Sequence, residues 1–518
     1  MVTASGADLA PGYLRLSPED QVAVALRELA PGELVAVGGS AVRLRDRVPA
    51  GHKFSLAEIP AGAEVRKYGQ VIGLASCDIS AGEHVHTHNL GYAALERSFE
   101  PGPGLRGDEP LPPEARATFS GFIRADGRVA TRNYIGVLTS VNCSATVAKM
   151  VAAQFGPLSG RLDEFPNVDG VVALTHGSGC GMAGTGEGFE LLRRVLSGYA
   201  RHPNFAGLVV LGLGCEVNQV RALAEGFDLP ETTPVVTMTI QEMGGTKATV
   251  RAATEKVLEI AAIANEARRQ VVPASEIVLG LECGGSDGYS GITANPALGV
   301  AADILVRHGG TAVLGETPEI YGAEHLLASR AVSAEVAERL LQRVRWWEEY
   351  VARCDASLDN NPSPGNKAGG LTTILEKSLG AVAKGGSSTL SAVYEYAEPI
   401  AAKGFVFMDT PGYDPVSVTG MVAGGANVVC FTTGRGSVFG SKPAPCVKLA
   451  TNSETYKAMV GDMDVNCGVI LDGEKSVQEV GQEIFELVLA VASGKKTKSE
   501  ELGFGDEEFT PWQVGAVL

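Results

Sequence analysis

From residue 119 onward the chain alternates apolar runs with amphipathic stretches, and this pattern most constrains the fold. The runs are YIGVLTSVNCS (134–144), GVVALTHGSGCG (170–181), GLVVLGLGCE (207–216), EIVLGLECGGSD (276–287), FVFMDTPGYD (405–414) and NVVCFTTGRGS (427–437). Each is apolar without alternation and then stops abruptly in Gly, Cys or polar residues. Strands of that kind are buried on both faces, as in parallel sheets covered by helices. Helical patterns such as ATVAKMVAAQF and NQVRALAEGF follow several of them. The expected class is therefore α/β and multidomain, Rossmann-like, with mostly parallel sheets. Ligands in such sheets bind at the carboxyl ends of strands, where this chain keeps its unusual residues.

At 518 residues the chain exceeds what one core supports. Residues 1–95 are patterned differently, as a small β-rich module of short apolar segments and turns. "PAG" (60–62) and "SAG" (80–82) punctuate it twenty residues apart. Residues 96–118, rich in Pro, Gly and charge, read as a linker. The long helical stretch ATVRAATEKVLEIAAIANEARR ends near 268–274 and divides the remainder into an α/β domain at 119–270 and a C-terminal α/β domain at 271–518. A separate linker predicts that deleting 1–95 leaves the rest folded.

A net charge of −17 with no basic run argues against nucleic-acid and anionic-membrane partners. The first residues lack a basic segment followed by an apolar one, and no apolar run reaches the roughly 18 residues of a membrane span. A cytoplasmic location is expected. Nine cysteines are odd in number and widely spread, which does not suit a disulfide framework. Cys143, Cys180, Cys215, Cys283 and Cys467 fall in glycine-rich or polar turns, where a thiolate could meet a metal.

HVHTHNL places His84, His86 and His88 at spacing two, on one face if the segment is a strand. His86, His88, Cys143, Cys180 and Cys283 are the candidate metal ligands, and imidazole with thiolate suits iron, manganese or zinc. The bland alternatives are an exposed histidine edge and glycines that only allow close packing. THGSGCG sets His176 in a strand-end turn as a candidate base. NPSPGNKAGG and TTGRGSVFGSKPAP carry Lys367, Arg435 and Lys442 as lone cations; Lys367 and Arg435 are assigned to catalysis and Lys442 to substrate binding. With Ser286, Asp287, Asn295 and Asn366 they could hold a carboxylated, hydroxylated substrate, although lone cations are often simply solvated. No Walker loop or dinucleotide fingerprint occurs.

GHKFSLAEIPAGAEVRKYGQVIG, HVHTHNL, GFIRADGRVATRNYIGVLTSVNCSATV, HGSGCG, GLGCE, LECGGSDGYSGITANPALG, GETPEIYGAEHLL, NPSPGNKAGGLTTILEKSLG, MDTPGYDPVSVTG, TTGRGSVFGSKPAPCVKLATN and DMDVNCG, taken in order, resemble the altronate dehydratase and galactarate dehydratase family of hydro-lyases. HVHTHN and TPEIYGAEHLL are closer to its altronate branch. The resemblance implies an N-terminal SAF-type module at 1–95. It also implies a divalent metal, Fe(II) first and Mn(II) second, and conversion of D-altronate to 2-keto-3-deoxy-gluconate plus water. Galactarate or another hydroxy acid, including a sulfolactate-type one, is the alternative substrate. Two further readings stay open: an iron–sulfur cluster on cysteines from separate turns, and a non-catalytic sugar-acid binding protein. A homo-oligomer is also left open.

Overall fold

The computed structural model describes residues 8–10, 12–37, 40–92, 109–156 and 158–515. Of the expected linker, 96–108 lies outside the described residues, and by Thr118–Ile123 the chain is already in a strand.

The N-terminal module, expected to be of SAF type, is built of short antiparallel strands, and its repeated turns have a structural cause. Ile59, before "PAG", and Ile79, before "SAG", pair with one another as an antiparallel bridge. Gly62 and Gly82 close their turns at φ of 80° and 83°, a region glycine enters without cost. At Gly82 a Cβ would overlap the Arg43 carbonyl.

The next unit is a four-stranded parallel sheet in the spatial order Gly170–Leu174, Tyr134–Thr139, Phe205–Gly212, Val235–Thr239. Alternate residues of one strand feed opposite cores. Ile135 and Val137 pack with the helices Ala145–Ala153 and Thr246–Ala264, while Tyr134 and Leu138 pack with Glu187–Arg201. Two-sided burial explains why these runs are apolar throughout.

The C-terminal unit centres on a seven-stranded, all-parallel sheet. Its order is Leu390–Tyr394, Gly404–Met408, Thr311–Leu314, Val278–Cys283, Val428–Thr433, Cys446–Ala450, Val465–Asn466. The strand entered first, Val278–Cys283, lies in the middle. On one side the chain lays Thr311–Leu314 next to it, crosses to the edge at Leu390–Tyr394 and fills the gap with Gly404–Met408; it then returns to build the other side from Val428. Such a reversal opens a crevice at the carboxyl ends of the two central strands.

These units share cores. The helix Glu187–Arg201 packs on Asp414–Ala423, where Gly198 leaves no room for a Cβ against the Ala423 carbonyl. Leu14, Tyr68 and Ile72 of the SAF module belong to the same apolar cluster as Leu298 and Ile374. Lys53 and Lys67 of that module reach Glu376 at 2.8 and 2.9 Å, and all three side chains are buried. Deleting 1–95 would strip this carboxylate of both partners, so the structure argues against a remainder that folds unaffected.

Two buried histidines set an acid limit on this packing. His176 donates Nε2–H to the Thr139 carbonyl and accepts from Ser178 N–H at Nδ1; His202 does the same with Ala426 and Asn204. Burial pushes each down to about 4. Unfolded histidine titrates near 6.5, so between those values only the unfolded chain takes up the proton. The stability they give is full above pH 6.5 and declines as pH falls, by about 1.4 kcal/mol per pH unit for each. Thermal unfolding should therefore come at lower temperature at pH 5 than at pH 7, and less steeply so in His202→Gln. Equal melting at both pH values in the unaltered chain would contradict this.

Candidate active site

Three strand ends of the C-terminal sheet bring acids together. Glu282 and Cys283 end Val278–Cys283; Glu316 and Glu319 follow Thr311–Leu314; Asp414 begins the helix after Gly404–Met408. Lys377, on the buried helix Ile374–Ala381, and Lys384, just after it, supply two ammonium groups.

The contacts are dense. Lys384 Nζ lies 2.8 Å from both Cys283 Sγ and Glu316 Oε2. Lys377 Nζ donates to Glu319 Oε1 at 2.7 Å and to Asn361 Oδ1 at 2.8 Å. Cys283 Sγ is 3.4 Å from Glu316 and 3.5 Å from Glu319. Ser417 donates to Glu282 at 2.7 Å. Glu316 sits at φ 65°, the left-handed region, which costs a non-glycine residue about 1–3 kcal/mol. That backbone aims its carboxylate at Lys384 and Glu282. Glu316 Oε1 is buried and faces the Glu282 carboxyl, whose proton can bridge the two groups.

The electrostatics separate these groups into roles. Burial, and then the Glu316 charge, raise Glu282 well above the carboxylate range, so it is a neutral acid. Burial would raise Glu316 too, but Lys384 holds it low and ionised. Asp414, partly exposed, is pushed up to about 7 by burial and by Glu316 and Glu319. Burial works against the Lys377 and Lys384 charges, yet their acidic and thiol neighbours raise both, so neither is a base.

The glycines of LECGGSD and TTGRGS make room for this arrangement. A Cβ on Gly284 would overlap Asp414 Oδ2, and one on Gly434 would overlap the Asp287 carboxylate. Gly285 O accepts from Gly434 N–H and Arg435 N–H, at 3.1 and 2.8 Å, which ties the two central loops together. Arg435 is exposed there, beside the loop whose next glycine back faces Asp414. A separate cleft, lined by Arg124, Arg128, His202 and Pro234, lies at the amino end of Phe205–Gly212 and holds no buried acid. The acid cluster is the better site because its chemistry, unlike that cleft's, can move protons.

The residues nominated from sequence fall into separate places. Cys283 joins the acid cluster. His86 stacks with His52, which pairs with His84 at 3.0 Å; His88 is exposed beside them. The strand there is only His84–Val85, so a turn rather than one strand face gathers these rings. His86 and His52 donate to the carbonyls of Lys367 and Ala368, pinning the 361–370 loop onto the SAF module. Cys143 and Cys180 meet in the second unit. His176, buried with both nitrogens occupied, has no free lone pair for a substrate proton. Asp287 accepts from Tyr289, Ser290, Thr451 and Asn452. Asn295 bridges Gly380 and Thr432; Asn366 completes the capping box of Ser363 and donates to the Ser286 carbonyl. These groups shape the crevice walls. Lys442 pairs with Asp506 at 2.6 Å, and Lys367 is half-buried in its loop. Glu282, Glu316, Glu319, Asp414, Lys377 and Lys384 were not singled out from sequence. The available signal was Lys377 and Lys384 inside an otherwise apolar helical stretch.

Paired acids of separated acidity beside two buried cations, at the open ends of a parallel sheet, define an α/β enzyme that moves protons in a desolvated site. Three domain models then match in order. They are the altronate/galactarate dehydratase SAF domain at 11–93, the D-galactarate dehydratase/altronate hydrolase second domain at 121–265, and the D-galactarate/altronate dehydratase C-terminal domain at 274–517. The chain is 35% identical over 509 residues to altronate dehydratase of Bacillus subtilis (strain 168), covering 98% of this chain and 99% of that protein. It is 36% identical over 513 residues to altronate dehydratase of Escherichia coli (strain K12), covering 98% and 100%. It is 38% identical over 504 residues to galactarate dehydratase (L-threo-forming) of the same organism, covering 96% and 95%. The chain belongs to the altronate/galactarate dehydratase family of hydro-lyases. Among the described residues no helix is long and apolar enough to cross a membrane.

Proposed function

We propose that this chain dehydrates D-altronate to 2-keto-3-deoxy-gluconate and water at the buried acid–lysine cluster. The observation that carries the reading is the separation of Asp414, near neutrality, from Glu282, held protonated. Dehydration needs both states at once: a base for the C2 proton and an acid for the departing C3 hydroxyl. Asp414 is the partly exposed member and is suited to take the proton. Glu282 can donate to the hydroxyl. Lys377 and Lys384 supply positive charge for the enolate that forms between the two events. The enol then tautomerises to the keto acid.

The donor set also fits a divalent metal. Cys283, Glu316 and Glu319 are all buried, and each presents one ligand atom within 4.8 Å of the others. A mixed carboxylate–thiolate set suits a borderline ion such as Fe(II). When bound, the ion would act as a Lewis acid on the substrate oxygens.

Substrate choice rests on Arg435. It stands exposed at the crevice, whereas Lys442 is engaged with Asp506. One guanidinium fork suits a single carboxylate, as in an aldonate. Half-buried Lys367 is the observation that favours galactarate, whose second carboxylate would need a second cation. Steady-state kinetics on both acids test this, with a larger kcat/KM expected for altronate. A preference for galactarate would overturn the substrate. Binding without turnover of either would leave a sugar-acid binding protein.

Arg435→Ala should lower kcat/KM by about ten- to a hundredfold, the value of a charge-assisted contact of about 1.5–3 kcal/mol. Arg435→Lys should also be impaired, because lysine lacks the fork. The melting temperature should barely move, and unchanged kinetics in both variants would place the carboxylate grip elsewhere.

A further inference from the structure

The second unit carries a group of residues that the acid–lysine cluster does not use. Cys143, Cys180 and Cys215 follow three adjacent parallel strands, Tyr134–Thr139, Gly170–Leu174 and Phe205–Gly212, at their carboxyl ends. Cys143 makes a side-chain contact with Cys180 and lies within electrostatic reach of Cys215. All three thiols are free and exposed.

Their loops are fastened to one another. Asn142 N–H donates to the Ser178 carbonyl at 2.9 Å, and Asn218 N–H to the Gly179 carbonyl at 3.1 Å. The Asn218 side chain donates to the Ser140 carbonyl at 3.0 Å, and Ser140 donates to Glu216 at 2.8 Å. Gly179, at φ 101°, leaves no space for a Cβ against the Ser140 carbonyl. A substantial network therefore holds three exposed thiols on one edge. Exposed thiols are an oxidation liability, and a fold has no packing reason to gather them.

We propose that Cys143, Cys180 and Cys215 form a three-thiolate socket for an iron–sulfur cluster of the [4Fe–4S] class. Soft thiolates select such clusters. The neighbouring His176 and Glu216 do not compete: the His176 ring is saturated, and Glu216 is occupied by Ser140 and Gly214 N–H. The spacing favours a cluster over one ion. A zinc ion about 2.3 Å from each sulfur would draw them to roughly 3.8 Å apart. Among the described residues these three sulfurs do not share the 4.8 Å envelope that encloses Cys283, Glu316 and Glu319. Iron bridged by sulfide spans a wider triangle. With three protein thiolates, one iron is left open to an oxygen ligand.

The test uses the full chain, purified without oxygen and reconstituted with ferrous iron and sulfide. Iron, acid-labile sulfide and the paramagnetic signal of the reduced protein are measured, so the result does not depend on activity. The unaltered chain and Cys354→Ser, an exposed cysteine elsewhere, should bind about four iron and four sulfide. The triple variant Cys143→Ser, Cys180→Ser, Cys215→Ser should bind almost none while keeping the melting temperature of the unaltered apo-protein. Each single variant should lose most of the cluster. If the triple variant melts early, the singles decide. The proposal is overturned if the unaltered chain binds no sulfide, if it binds one metal ion alone through these cysteines, or if the cluster survives in the triple variant.

Discussion

Asp414→Asn should lower kcat by about a hundred- to ten-thousandfold, the range contributed by a positioned general base, while the melting temperature rises slightly. The gain follows from the sign of the shift. Burial, with Glu316 and Glu319 beside it, raises this carboxyl to about 7, so its charged form is disfavoured in the folded state. An amide of the same shape removes that charge and relieves the strain. Functional sites commonly trade stability for activity in this way. Steady-state kinetics and thermal unfolding measured together decide the matter. Unchanged kinetics would remove Asp414 from the reaction, and a large fall in melting temperature would make it a structural residue.

The second large effect is expected at Glu376. Its carboxylate is almost completely buried and accepts from Lys53, Lys67 and Thr372. Burial alone would raise it, but the two lysines hold it well below the usual carboxylate range. Glu376→Gln would leave two ammonium groups buried without a counter-ion, and removing one partner of such a group costs about 3–5 kcal/mol. The SAF module should then loosen, with faster proteolysis within residues 12–92 and a lower unfolding midpoint. Replacing the whole group, as Lys53→Met, Lys67→Met, Glu376→Leu, should recover most of the loss, since apolar substitutes for a buried triad are close to neutral. Glu376→Gln with unaltered stability would show that the apolar contacts alone dock the module.

The parallel sheets were legible in sequence because two-sided burial writes itself as an uninterrupted apolar run. YIGVLT, VLGLEC and VVCFTT are strands of the structure. Strands with polar residues were harder to see. Thr311–Leu314 has only four residues, and Cys446–Ala450 contains Lys448, whose ammonium is buried on the Phe439 carbonyl. The acid cluster was hidden for a related reason. Glu316 follows that short strand, and its partners Glu282, Lys384 and Asp414 lie 34, 68 and 98 positions away in sequence. No local spacing records such a meeting. Lys384 stands out in an apolar stretch, but only folding shows it buried between a thiol and a carboxylate. HVHTHNL stood out as a motif, but its structural partner, His52, lies 32 positions before His84, and its rings hold a loop. Arg435 emerged where a strand-end cation should, because strand termination is a local property.

On this reading the chain dehydrates a sugar acid by proton removal at C2. That is tested most directly by supplying D-altronate in deuterated water to the full-length chain, with ferrous iron and reductant under anaerobic conditions. The expected product is 2-keto-3-deoxy-gluconate carrying one solvent deuterium at C3, where the enol collects its proton. Failure to turn over altronate or any other aldonate or aldarate, or a product whose C3 carries no solvent deuterium, would contradict this reading.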